Sequence, residues 1–254
     1  MDVREVLRLL DEERRVIAYD GMRLESRPGV TRGSLSVGRY HWITWSGLDE
    51  SNVDHEIAHE IEHHRRLGVD FEWKVFAHDR PADLRERLER HGFVIGACEA
   101  VLVCELGHEW IRAGSSVRVE RIERLEQVED YRRVNRAVYG DDRDTMADEL
   151  AESLRIGSQQ HRGYVAYADS GEPVSIGRLY THPRSVFGGL YGGATLQAFR
   201  GRGYYKAMVA ARARDAAAAG LRYLSVDARP TSRPILEKIG FVRVTDTWPC
   251  EWSP

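Results

Sequence analysis

The stretch GLYGGATLQAFRGRGYYKAMVAARARDAAAAG, Gly189 to Gly220, decides the reading of this chain. Its first seven residues read as a strand, its alanine-rich end as a long helix, and the short link Leu196-Gln197-Ala198-Phe199 leads into Arg200-Gly201-Arg202-Gly203-Tyr204-Tyr205 between them. Two glycines let the backbone turn tightly and approach a ligand closely. The first N–H groups of the helix lack intrahelical acceptors, and the helix dipole adds partial positive charge at the same place. Arg200 and Arg202 contribute full charges suited to a diphosphate. The segment is therefore an anion site by construction, and a basic turn before a surface helix is the plainer alternative.

Outward from that stretch, the second half of the chain opens with a strand at 117–122 and helices at 125–139 and 145–160. Strands follow at 164–168, 173–180 and 189–195, then the helix from Gly201, a strand at 223–227, a short helix at 232–239 and a last strand from Phe241. The first half runs helix 2–15, strands near 16–19 and 39–45, helix 53–67 closed by Gly68, strand 71–76, and a helix through Arg90 opened by Asp79-Arg80-Pro81-Ala82-Asp83. Gly92-Phe93 then begins a strand pair that includes 101–106. The fold class expected is mixed α+β. At a constant offset of 148, Asp79 falls on Asp227, Leu88-Glu89-Arg90 on Leu236-Glu237-Lys238, and Gly92-Phe93-Val94 on Gly240-Phe241-Val242. This points to a tandem duplication, with domains at 1–110 and 117–254 and a linker over Gly107 to Ser116.

The signature Arg200-Gly201-Arg202-Gly203-Tyr204-Tyr205 resembles that of the GCN5-related N-acetyltransferases, Arg/Gln-x-x-Gly-x-Gly/Ala between the fourth strand and third helix. The resemblance covers Val117 to Pro254, including the closing Leu236-Glu237-Lys238-Ile239-Gly240-Phe241, and the first half resembles a divergent second copy. It implies two tandem domains of mostly antiparallel sheet flanked by helices, and acetyl-CoA as co-substrate. It also implies a V-shaped cleft between strands ending near Thr195 and Asp227. Backbone groups of Ala194, Thr195 and Leu196 would hold the pantetheine arm, and Arg200, Gly201, Arg202, Gly203, Tyr204 and Tyr205 the pyrophosphate. Tyr205 stands where the family has a small residue, so its side chain must point away from the phosphates. The family's usual proton donor, a Tyr, is replaced by Leu236, and an Asn of that segment by Arg229. Acyl transfer there is direct attack of an amine on the thioester, for which a thiolate leaves tolerably without an acid. Asp227, Tyr180, Tyr191 and His182 are the candidates for accepting the amine's proton. The acidic loop Tyr139 to Asp144 is the candidate for attracting a cationic small-molecule or peptide amine.

At the same offset the first half places Asn52-Val53-Asp54 where the cradle should be, among carboxylates that would repel a diphosphate. One cofactor per chain is expected. His55-Glu56-Ile57-Ala58-His59 and His59-Glu60-Ile61-Glu62-His63 match the zinc-hydrolase pattern His-Glu-x-x-His. The apolar stripe Val53, Ile57, Ile61 lies two positions, about 200°, from each of His55, His59 and His63. A surface helix without a functional metal is therefore the expectation. Besides an enzyme, a non-catalytic coenzyme A-binding module stays open.

Composition sets the outer bounds. The formal net charge of −3 and pI near 6.4 argue against nucleic acid or an anionic membrane as the main partner. Three cysteines, Cys98, Cys104 and Cys250, fit free thiols in a reducing, cytoplasmic compartment. The charged N-terminal stretch lacks a signal-peptide core, so a soluble, unprocessed chain is expected.

Overall fold

In the computed structural model, residues 1–35, 40–112, 116–140 and 144–254 are described. The chain divides into two compact units that are not consecutive halves. The first comprises Met1–Leu102, Asp227–Pro234 and Arg243–Pro254; the second comprises Val103–Val226 and Ile235–Val242. The end of the chain thus serves the first unit, an exchange that boundaries at 110 and 117 do not contain. Of the expected linker, residues 113–115 lie outside the described residues. The short helix α4 (Glu109–Arg112) precedes them, with Ile111 buried.

The first unit opens with α1 (Val3–Val16), whose N-cap Asp2 accepts a hydrogen bond from the Arg4 N–H at 2.9 Å. The hairpin of β1 (Met22–Arg27) and β2 (Val30–Leu35) follows, antiparallel about Pro28-Gly29, where the sequence reading had placed only a strand at 16–19. Met22 and Leu24 alternate with Arg23 and Glu25 in β1, the period of a half-exposed strand too short to stand out, and Pro28-Gly29 is the turn signal that marks it. β3 (His41–Ser46) and β4 (Phe71–Phe76) are parallel, joined by α2 (Val53–Leu67). Gly68 closes α2 in the left-handed region. The expected stripe Val53, Ile57 and Ile61 is buried against Ile43, Trp73 and Leu88, each such side chain contributing about 1.5–3 kcal/mol of burial. After α3 (Leu84–Arg90), β5 (Val94–Ile95) pairs with the last strand of the chain, β12 (Val242–Trp252). β12 also pairs antiparallel with β4, from Thr247↔Phe76 to Trp252↔Phe71. β6 (Glu99–Glu105) spans the division between units.

The second unit carries the order β7-β8-β9-β10-β11: β7 (Arg118–Arg121), β8 (His161–Tyr167), β9 (Pro173–Tyr180), β10 (Phe187–Thr195) and β11 (Tyr223–Ala228, its last two residues in the first unit). All neighbours in it are antiparallel except β10 and β11. α5 (Leu125–Tyr139) and α6 (Thr145–Arg155) cover one face with Val128, Tyr131, Val134, Ala147 and Leu150. α7 (Tyr204–Ala218) joins β10 to β11 and buries Ala207, Met208, Val209 and Ala213. The short α8 (Arg233–Lys238) precedes β12. The chain is thus mixed α+β, a mostly antiparallel sheet flanked by helices, and each unit contains one parallel strand pair bridged by a 15-residue helix.

Candidate active site

The Arg-Gly-Arg-Gly segment lies in the turn that leads from β10 into α7. A short 3₁₀ turn, Gln197–Phe199, takes the chain out of β10, and Gly201 (φ 76°) and Gly203 (φ 89°) then hold the left-handed backbone that turns it into α7. A β-carbon at either glycine would meet nothing within 4 Å, so no side chain covers them. Gly201, Arg202 and Gly203 are exposed, in front of the first-turn N–H groups of α7. Arg200 spends part of its guanidinium internally, its Nε donating to the Thr195 carbonyl at 3.2 Å. Arg202 lies over the Phe199 ring, which meets Tyr204 edge to face. The Tyr205 ring approaches Gly193 on β10, away from the cradle, as an intact site requires. These residues fit a diphosphate: charge, backbone donors and room coincide.

Along β10, the parallel ladder to β11 ends at Gly189–Ser225 while β10 continues to Thr195. The other edge is occupied. The Leu196 N–H donates to Val174 O at 2.9 Å, and Ala194 and Thr195 stand opposite Ile176 and Ser175. Antiparallel pairs alternate. Ala194, like Leu196, therefore points its backbone groups back at β9, and the Ser175 hydroxyl also donates to Ala194 O at 2.7 Å. Of the three residues expected to hold a pantetheine arm, Thr195 alone turns its backbone to the open edge, its carbonyl there accepting from Arg200 Nε. Strand parity is the reason for this correction.

The candidates for proton transfer separate. Asp227 belongs to the first unit, where its carboxylate accepts a 2.5 Å hydrogen bond from Lys74 Nζ. His182 accepts from the Arg184 N–H through Nδ1 at 3.1 Å, the turn role that a His before Pro183 suggests. Tyr180 and Tyr191 do meet, edge to face at 5.1 Å, and Tyr180 stacks on His161 at 4.2 Å. Tyr180 belongs to a polar cluster that the sequence did not reveal. Glu149 on α6 accepts from Arg178 Nη1 at 2.9 Å and from the Tyr180 hydroxyl at 3.3 Å. Burial raises the pKa of Tyr180, against the pull of Arg178, so its phenol stays protonated. Burial likewise pushes His161 well below its ordinary value and keeps it neutral. Leu236, at the usual acid's position, is fully buried, and Arg229 pairs with Glu99 at 3.4 Å. Of the acidic loop at 139–144, residues 141–143 lie outside the described residues; Asp144 pairs with Arg136.

The carboxylates of the histidine helix are engaged by arginines of the neighbouring strands. Glu56, His59 and Glu60 converge, but the Arg27 guanidinium occupies the point of convergence. Its Nη1 lies 2.5 Å from His59 Nδ1, 3.1 Å from Glu60 and 3.5 Å from Glu56. A cation is thus already supplied by β1. The helix also departs from the expected surface reading: Glu60 is wholly buried on Arg32, at 2.7 Å.

Residues 121–241 match the model of the acetyltransferase (GNAT) family. That match covers a little under half of the chain, and what it shows is a GNAT-family match over those residues. Solved structures carry the fold across the rest. A GCN5-related N-acetyltransferase from Kribbella flavida superposes with a TM-score of 0.67 at 14% identity, over 99% of this chain and 94% of that one. A functionally unknown conserved protein from Staphylococcus epidermidis gives 0.64 at 15%, over 93% and 96%. A tandem GNAT protein from the clavulanic acid biosynthesis pathway gives 0.58 at 12%, over 96% and 87%. No curated protein matches the sequence. Among the described residues no helix is long and apolar enough to cross a membrane, and all three cysteines are free thiols.

Proposed function

We propose that the GNAT domain transfers an acetyl group from acetyl-CoA to a primary amine of a small molecule or peptide. The observation that carries this is the open glycine cradle on the N-terminus of α7, at the end of a strand whose edge beyond Gly189 is unpaired by β11. Arg202 and the first turn of α7 would hold the pyrophosphate, and Thr195 would pair with the arm. When bound, acetyl-CoA supplies the activated acyl group. The neutral amine nitrogen bonds to the thioester carbon, the C–S bond breaks with its electron pair on sulfur, and the proton that the nitrogen sheds passes to water. Tyr180 and Tyr191, with Glu149 paired to Arg178 beside Tyr180, would flank the acceptor's nitrogen. With Leu236 at the usual donor position, the thiolate leaves without an acid.

A coenzyme A-binding module without turnover is the second reading, favoured by the same Leu236 and by the commitment of Asp227 to Lys74. We read the first unit as a divergent copy that does not bind the cofactor. Its turn before α2 is closed by its own acid: Asp49 accepts from the Ser51 N–H at 2.8 Å, the Ser51 hydroxyl at 2.6 Å and the Asn52 N–H at 3.2 Å. Calorimetric titration of chelator-treated protein with acetyl-CoA tests both statements, one site per chain being expected. Arg202→Ala should weaken that site by about 1.5–3 kcal/mol, the range for a charge-assisted hydrogen bond. An unchanged Kd would remove the pyrophosphate from the cradle, and two sites would overturn the reading of the first unit. Turnover of any amine in a screen separates the enzyme from the binding module.

A further inference from the structure

Two buried hydrogen-bond donors in the second unit lack partners, and both point at the same place. Arg178 Nε and the Tyr131 hydroxyl have no acceptor, although Arg178 is 7% and Tyr131 0% exposed. They meet at Gly192, where β10 is irregular: its register against β9 shifts between Tyr191 and Ala194, and Gly192 takes φ 56°. A methyl group built on Gly192 would lie 3.2 Å from Arg178 Nε, 3.2 Å from the Tyr131 oxygen and 3.7 Å from Arg178 Nη2. Native interiors rarely leave such donors unmet, and an unmet one costs about 1–3 kcal/mol. Here two converge on a spot from which the strand has removed its own side chain. The next residue, Gly193, turns the opposite way, toward Tyr205 of α7.

The charge of the site selects its occupant. Arg178 is already balanced by Glu149 at 2.9 Å, so a second carboxylate would bury excess negative charge. A neutral oxygen acceptor satisfies both donors without that cost. Position selects it further, because Gly192 lies three residues before Thr195, about 10 Å along the strand that leads from the cradle. We infer that Arg178 Nε and the Tyr131 hydroxyl receive the carbonyl oxygen of the acyl thioester at Gly192. This rests on the acetyl-CoA reading above. Negative charge grows on that oxygen as the amine nitrogen bonds to carbon and falls again as the C–S bond breaks, and two fixed donors in a dry site stabilise it in between. Burial raises the pKa of Tyr131, which keeps the phenol a donor. Burial opposes the charge of Arg178, but the Glu149 carboxylate at 2.9 Å holds it, and the guanidinium stays charged.

Tyr131→Phe removes one donor that has no partner in the fold, so the variant should fold as the parent does. The test is calorimetric affinity for acetyl-CoA and for free coenzyme A, which lacks the carbonyl. The variant should lose about 3- to 10-fold in affinity for acetyl-CoA and nothing for coenzyme A. With carbonyl-labelled [1-13C]acetyl-CoA, the bound carbon should move downfield on the parent protein and return toward its free position on the variant. Equal affinity changes for the two ligands, or a bound carbonyl shift equal to the free one on the parent, would assign the space to ordered water and overturn the inference alone. Failure of the parent to bind either ligand would overturn the acetyl-CoA reading and this inference with it.

Discussion

His64 sits on α2 with 1% of its surface exposed, its ring stacked on Phe71 at 3.9 Å and its Nδ1–H donating to Glu60 O at 2.8 Å. Burial drives its pKa down to about 4, and the nearby His63, His41 and Arg32 push the same way. An unfolded histidine titrates near 6.5, so below that pH the unfolded chain binds a proton that the folded chain refuses. The stabilisation is complete above about pH 6.5 and is lost as pH falls toward 4. Between pH 7.5 and 5 the loss from this residue should be on the order of 1–2 kcal/mol. Urea unfolding at the two pH values measures it, and His64→Phe should flatten the dependence. A variant as pH-sensitive as the parent would place the titration elsewhere, with His161 of the second unit next in line. Neither histidine was legible as a pH-sensitive residue. His64 lies outside the His55, His59, His63 series that the metal pattern singles out, and a one-residue change of helical phase moves a side chain by 100° into the core.

Between β9 and α7 the spacing is set by a glycine and an arginine. The Arg212 side chain crosses under Gly177 and is 1% exposed, its Nη1 donating to Arg178 O at 3.1 Å and its Nε to Met208 O at 3.2 Å. A β-carbon on Gly177 would lie 2.9 Å from the Arg212 guanidinium carbon. Gly177→Ala should therefore cost about 1–3 kcal/mol through overpacking, read as a lower urea midpoint. Arg212→Met in the same chain should restore part of the loss, since the obstructing group is then gone and no buried charge is stranded. No restoration would mean that the strain lies in the backbone of β9. Elements of this kind show what a sequence exposes. The α5 span stands out because its apolar positions recur at helical spacing, α7 because it is rich in alanine, and the cradle because Arg200 to Gly203 are contiguous. Tyr131, Glu149, Arg178 and Gly192 lie on α5, α6, β9 and β10, and no local period links them. The β1–β2 hairpin was hidden for a different reason, the alternation in β1 being too short to stand out.

At the scale of the chain, the least legible feature is where the last twelve residues go. Periodicity identifies β12 as a strand, but pairing is decided by complementarity between distant faces, which no local pattern records. Thr247 and Cys250 are wholly buried and Trp252 nearly so, in the core that holds Phe71, Trp73 and Phe93. The Thr247 hydroxyl also donates to Val75 O at 2.9 Å. A chain ending at Val242 therefore loses one flank of β4 and a tryptophan whose truncation alone costs about 3–5 kcal/mol. That loss approaches the whole stability of a domain, about 5–15 kcal/mol. The expected result is a first unit without cooperative unfolding, seen as loss of near-ultraviolet dichroism from its tryptophans and binding of a hydrophobic dye. Adding the peptide 241–254 should recover the signal, because the missing strand meets a defined edge. Cooperative unfolding of the truncated chain at the parent's urea midpoint would instead show that β4 and its core stand without β12. Residues 1–110 would then be a domain in their own right, as the repeat in the sequence suggested.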